Sequence, residues 1–410
     1  MNLRLNRCGI PCPGYLLVMM ILGSTMTGCA TTTPTSGVRV AGAPVDWPFQ
    51  GFIRYEGIQL SQFQDHFFAP GDLVIHPSGG RLIAPSGRFG AMTIVRLPEG
   101  SIEAVLDFGE GITFENLMFR PDGDILYALS STVDATNLGR VPLARALLEV
   151  EFGADLGAPA VPLRPGAYSR GVALRPDRSW FYSLDTAGRE LPGGATLSRI
   201  DLYSLEVQQR RHLGSVPIRV GNDGLLYDAR ERWLLALLSN DEPASDFDPP
   251  PDPNRPRGSF LARIDPDSLG VIDQVDFKEQ LEFIGLAHSP RGVVAVGLVP
   301  LDPARGTSLV EVDPRLGREV GWLDLPLAVS DMAAAGDRLV LPTRRGLYVV
   351  SLEFLSIAGF IPIPLDRPRN VAVTPDGAIA CVTYDDPDQP GWTLMAIVDL
   401  NTGRLVRVIR

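Results

Sequence analysis

Seven stretches of this chain repeat one another, and that repetition narrows the fold further than any other feature. The clearest copy, NVAVTPDGAIACVTYDD, starts at Asn370; NLMFRPDGDILYALSS starts at Asn116, GVALRPDRSWFYSLDT at Gly171 and DLVIHPSGGRLIAPSG at Asp72. Aligned on the turn, the first column of the seven copies reads Asp72, Asn116, Gly171, Gly224, Gly285, Asp331 and Asn370. The second is apolar throughout: Leu73, Leu117, Val172, Leu225, Leu286, Met332 and Val371. The next two columns are largely apolar as well. Consecutive apolar residues mean a strand buried on both faces, as opposed to one with a side in water. His288 falls in the fourth column and so reads as a hydrogen-bonded core histidine.

A second mark keeps the same register. Each copy runs on to a strand that ends in an acidic or polar residue and a turn, as in RIDLYSLE from Arg199, RIDPDSLG from Arg263, EVDPRLG from Glu311 and IVDLNTG from Ile397. Asp201, Asp265, Asp313 and Asp399 share one position, where a carboxylate can accept backbone N–H groups and pin the turn. A further alternating strand follows, for example RLVRVIR from Arg404. Each unit is therefore four short strands over roughly 40–60 residues, repeated about seven times, which is the pattern of a propeller. The fold expected is all-β, a seven-bladed β-propeller of four-stranded antiparallel blades over residues 67–410. The 42 glycines and 36 prolines suit a chain with that many turns.

The units resemble those of the YVTN family of seven-bladed propellers, with their V-A-V-x-P-D-G and V-I-D-x-x-T-G elements; the copy RPRNVAVTPDGAIACVTYDD with MAIVDLNTGRLVRVI matches best. The central copies depart from it, with YDARERW and AAAGDRL in place of the Pro-Asp-Gly turn. The resemblance implies an architecture more than an activity.

Ahead of the repeats lie Arg4 and Arg7, an apolar run YLLVMMIL too short to span a bilayer, and small residues ending in MTGC at Cys29. This resembles the lipobox of bacterial lipoproteins, although Met26 stands where leucine is usual. The resemblance implies a signal peptide over 1–28, a lipid on Cys29, a flexible tether to residue 48, and a bacterial envelope location. Ala30 resembles the sorting signal for the outer membrane, facing periplasm or cell surface. FIRYEGIQL, in the segment 49–66, is expected to lie against the last blade and help close the ring. Cys8 and Cys12 would leave with the leader, so Cys381 is the one other thiol and no disulfide is expected. Loss of Arg4 and Arg7 would take the net charge from −11 to −13. With Lys278 the sole lysine and no basic patch, nucleic acid is not an expected partner.

In such a blade the start of the first strand and the loop between strands two and three share one face. The long irregular segments fall there, among them NDEPASDFDPPPDPNRPRG from Asn240 and YDDPDQPGW from Tyr384. Binding residues concentrate in loops held on a rigid scaffold. The expected activity is thus binding of an envelope protein, a peptide or a glycan, by a monomer. The same face carries the mouth of the axial channel, with a candidate lining of Asp72, Glu115, Asn116, Arg170, Asp223, Asp331, Arg369 and Asn370. Convergent carboxylates and amides suit a divalent cation such as calcium; strand starts at a water-filled channel are also polar simply because they are wet.

The third copy, SRGVALRPDRSWFYSLDT, is similar to the N-G-L-x-x-S-P-D-G motif of gluconolactonase-like propeller hydrolases, which hold a divalent metal at this mouth. Here Arg170 stands where a metal-binding asparagine would be, and a cation there opposes a second cation. No Gly-x-Ser-x-Gly elbow, zinc spacing or haem attachment motif occurs. Catalysis is not the expectation, and no cofactor is evident.

Overall fold

Each run of consecutive apolar residues forms the innermost strand of an antiparallel sheet, and seven such sheets stand side by side around an axis. The computed structural model describes residues 53–56, 72–86, 90–108, 112–132, 144–151, 160–162, 167–187, 194–213, 216–217, 223–239, 258–279, 281–298, 306–389 and 392–409. The blades span 74–107, 112–162, 167–212, 216–276, 282–325, 333–361 and 368–409, each running in chain order from inner to outer strand. Inner strands touch their neighbours in sequence, and Val74–Ile75 of blade one meets Pro368–Val373 of blade seven. The ring is closed.

The core explains why the strands carry no alternating pattern. Buried apolar residues fall into seven clusters, one in each gap between adjacent blades. Leu82 and Ala84 of blade one pack with Ala372, Cys381 and Ile397 of blade seven, while Ile83 on the opposite side of the same strand packs toward blade two. A sheet sandwiched this way is apolar on both sides, and each side chain so buried contributes about 1.5–3 kcal/mol. The outer strands face water: Glu206–His212 and Arg404–Ile409 are mostly exposed.

The turns follow the sequence marks. Asp201 accepts N–H bonds from Tyr203 at 2.7 Å and Ser204 at 3.2 Å. Asp265, Asp313 and Asp399 do the same for the two residues that follow at the equivalent spacing. In blade four, where YDARERW replaces Pro-Asp-Gly, Asp228 takes over and accepts from Arg230 and Glu231. On this face arginines join one blade to the next. The Arg199 guanidinium lies 4.5 Å from the Trp180 ring and donates to the Asp267 carbonyl in blade four at 2.6 Å. Arg263 stacks on Trp233 and reaches the Pro314 carbonyl in blade five at 3.0 Å. At the seam, Arg407 of blade seven donates to the Glu99 carbonyl of blade one at 2.7 Å.

Two expectations are corrected. The strand Ile53–Glu56 does not reach the last blade: it pairs antiparallel with Ser101–Asp107, Ile53 opposite Asp107, and gives blade one a fifth, outermost strand. The edge it takes belongs to the blade that follows it in the chain. His288, in turn, is exposed near the end of its inner strand and bonds to the Tyr227 backbone; it is not a core residue.

Candidate functional site

The eight residues expected at the mouth all belong to inner strands or their starts, but they divide into groups with different work. In blades two, three, five and seven the inner strand bulges at the same repeat position. The register shifts between Phe114 and Asn116, Ser169 and Gly171, Phe283 and Gly285, and Pro368 and Val371. Glu115, Arg170 and Arg369 are therefore bulged, out of step with the ladder. A bulge leaves a residue unpaired and bends the strand, which lets the inner strand start near the axis and then lie flat against its blade. The side chains of Glu115 and Arg170 lie outside the described residues. Arg369 does not serve the channel with its charge, because its Nε donates to Asp385 of the same blade at 2.5 Å. Asn116 is buried opposite Leu129, and the Asn370 N–H meets the Thr383 hydroxyl at 3.2 Å.

Asp72, Asp223 and Asp331 are the residues that the fold brings together. They come from blades one, four and six and are half-buried, close enough for their charges to act on one another. Their first task is visible in the backbone. The second repeat column has an N–H at the inner edge of each blade, where no further strand exists to accept it. The Asp72 carboxylate accepts that N–H from Leu117 of blade two. Asp331 Oδ2 accepts it from Val371 of blade seven at 2.7 Å. In blade five the equivalent N–H, from Leu286, goes to the Asp223 main-chain carbonyl at 2.9 Å.

Asp223 also bridges the backbones of Gly171 in blade three and Gly285 in blade five. The approach is too close for side chains: a Cβ on Gly171 would stand 2.4 Å from the Leu225 nitrogen, and one on Gly285 2.6 Å from the Asp223 Cβ. Gly171 and Gly285 are thus a packing requirement of blades three and five.

Three carboxylates brought together repel. Burial, then the charges of Asp223 and Asp331, push the Asp72 carboxyl well above the usual carboxylate range. Burial and Asp223 do the same to Asp331, and burial pushes Asp223 up to about 6. Like charges in a poorly solvated site cannot all ionise at ordinary cost. Among the described residues no group of three or more His, Cys, Asp or Glu is disposed to hold a metal ion. The three aspartates are therefore read as caps on neighbouring blades, and the calcium reading of the mouth finds no support in them.

Sequence reasoning found these positions as a polar column but missed the bulge and the blade-to-blade N–H bonds. The signal available was the pairing of Asp in one copy with an obligatory apolar residue after the first column of the next. Cys29 and most of the long segments of this face, 133–143, 188–193, 240–257 and 299–305, lie outside the described residues.

No protein-family model and no curated protein matches the chain. Solved structures do. The chain is similar to dihydro-heme d1 dehydrogenase NirN, with 16% identity and a TM-score of 0.53 over 84% of this chain, and it spans 66% of that protein, just under two thirds. It is similar to hydrazine synthase of Kuenenia stuttgartiensis, with 14% identity, a TM-score of 0.51, and coverage of 84% of this chain and 97% of that one. It is also similar to U3-55K, with 11% identity, a TM-score of 0.56, and coverage of 82% and 96%. At these identities the likeness establishes the β-propeller fold.

Proposed function

We propose that this protein is a binding module: a propeller of YVTN-like repeats, tethered to a bacterial envelope membrane through lipid on Cys29, that presents its long-segment face to a partner. The partner would be an envelope protein, a peptide or a glycan. One observation carries the reading, the contrast between the two faces of the ring. One face consists of short turns pinned by aspartates and joined by arginines, with little to vary. The other joins the same rigid blades through long segments of irregular composition, of which 240–257 is the longest and is rich in acid and proline. Segments of such composition joined to a rigid base suit recognition. A metal-dependent hydrolase at the mouth is the weaker reading, since the aspartates there cap blades and Arg170 occupies the position of a ligand.

Crosslinking and pull-down from native envelopes tests the proposal, with wild type compared with a deletion of Glu242–Arg257 and with Cys29→Ser. The deletion is expected to keep the thermal transition and lose a specific partner. Cys29→Ser is expected to move the protein from the membrane to the soluble fraction. An unchanged partner list would overturn the face assignment, and a membrane-bound Cys29→Ser variant would overturn the anchor.

A further inference from the structure

We propose that Asp72, Asp223 and Asp331 form a proton-operated latch on the inner ring: a proton held among them lets the inner edges seat, and full ionisation loosens the ring at its axis. The three carboxyls belong to blades one, four and six, so their repulsion acts between blades instead of within one sheet. Each residue also carries a contact between blades. Asp72 holds Leu117 of blade two, Asp331 holds Val371 of blade seven, and the Asp223 backbone holds Leu286 of blade five and bridges Gly171 and Gly285. Strain at the axis therefore falls directly on the joints.

Among the described residues, the groups around the cluster do not offset its charge. Asp72 meets the N–H groups of Leu73 and Leu117, and Asp331 those of Met332 and Val371. Asp223 has the Gly171 and Gly285 backbones on either side, with the Met332 thioether close to Gly285. Arg369 is paired with Asp385. Among the described residues no arginine, lysine or histidine side chain bonds to any of the three carboxyls; Glu115 and Arg170 have side chains outside that set.

The sign follows from the direction of the shifts. An acid whose folded pKa is raised contributes stability that is complete below its unfolded value near 4 and is lost as pH rises through the folded value. For Asp223 that value is about 6. Protons in such a cluster belong to the group as a whole.

Two measurements on the full folded chain test the latch. Hydrogen exchange at the Leu117, Leu286 and Val371 amides, corrected for intrinsic rates, is expected to slow by about tenfold between about pH 8 and about pH 5, the equivalent of one pK unit. Asp223→Asn should raise protection at pH 8 and flatten that dependence, while amides of the outer strands change little in either protein. Difference infrared spectra of the wild type should show a protonated-carboxyl C=O band near neutral pH that Asp223→Asn reduces, a readout needing no stability comparison. Equal pH dependence in wild type and Asp223→Asn, or no carboxyl band at neutral pH, would overturn the proposal. If Asp223→Asn fails to fold, Asp331→Asn is judged by the same two outcomes.

Discussion

Leu269 shows how far a single residue can depart from its repeat. The fifth position of the Asp-x-x-x-Gly turn adopts a positive φ in six blades: Gly100, Gly317 and Gly403 at 67°, 62° and 67°, but Leu205, Leu269 and Leu355 at 53°, 55° and 46°. An L side chain in this region costs about 1–2 kcal/mol. Leu269 is nevertheless fully buried against blades three and four, in contact with the cluster that holds Tyr182 and Leu234. Burial of a leucine is worth about 1.5–3 kcal/mol, and an unfilled cavity adds to its loss. Leu269→Gly, though it restores the favoured backbone residue, is therefore expected to lower stability by about 1–3 kcal/mol, read as a lower urea midpoint at unchanged slope. A more stable variant would mean that backbone strain outweighs packing there. The turn aspartates could be read from the chain because their N–H bonds are local. The left-handed leucines could not, since what holds them is a neighbouring blade far away in sequence.

Among the elements, the seam between blades seven and one is the joint whose two blades do not follow one another in the chain. Its cluster contains Leu73, Leu82, Ala372, Ile397 and the buried Cys381, and Arg407 covers its edge by donating to Glu99. Gly100 sits beneath that arginine, where a Cβ would stand 2.9 Å from the Arg407 Cδ and 2.8 Å from the Ile397 Cδ1. Arg407→Ala should cost about 1 kcal/mol, the value of one hydrogen bond, and should speed thiol labelling of Cys381. Arg263→Ala removes a comparable link between blades four and five and serves as the control; equal labelling rates in the two variants would show that the seam is not held locally. The strand Ile53–Glu56 is instructive for the same reason. Four residues, IRYE, have enough β character to be recognised as a strand, but nothing in them specifies which edge they will occupy. That depends on which blade has an open edge within reach.

For the molecule as a whole, two sets of carboxylates set opposite limits on stability. In the regular turns, the Ser268 backbone N–H holds Asp265 below the usual carboxylate range, the Thr402 backbone N–H does so for Asp399, and the Thr374 hydroxyl for Asp376. A depressed folded pKa gives stability that is present above the unfolded value and lost as pH falls through the folded one. The axial aspartates, shifted the other way, give up stability as pH rises from about 4 through the Asp223 value of about 6. Melting temperature measured across pH is therefore expected to be highest at about pH 4, where both contributions are present, and to fall on both sides; a steady decline from neutral pH down to pH 4 would contradict this. The blade count and the two faces were legible from the repeats, because apolar runs and turn residues recur at fixed spacing. The axial cluster was legible only as a polar column, because convergence of blades one, four and six arises when the ring closes. Closure has a further consequence. Every blade is apolar on both sides, and none has a polar outer face of the kind that caps an open array of repeats. A chain halted one blade short would leave two bare sheets facing an empty wedge, each an invitation to aggregation. The last copy to be made is thus the one that covers both.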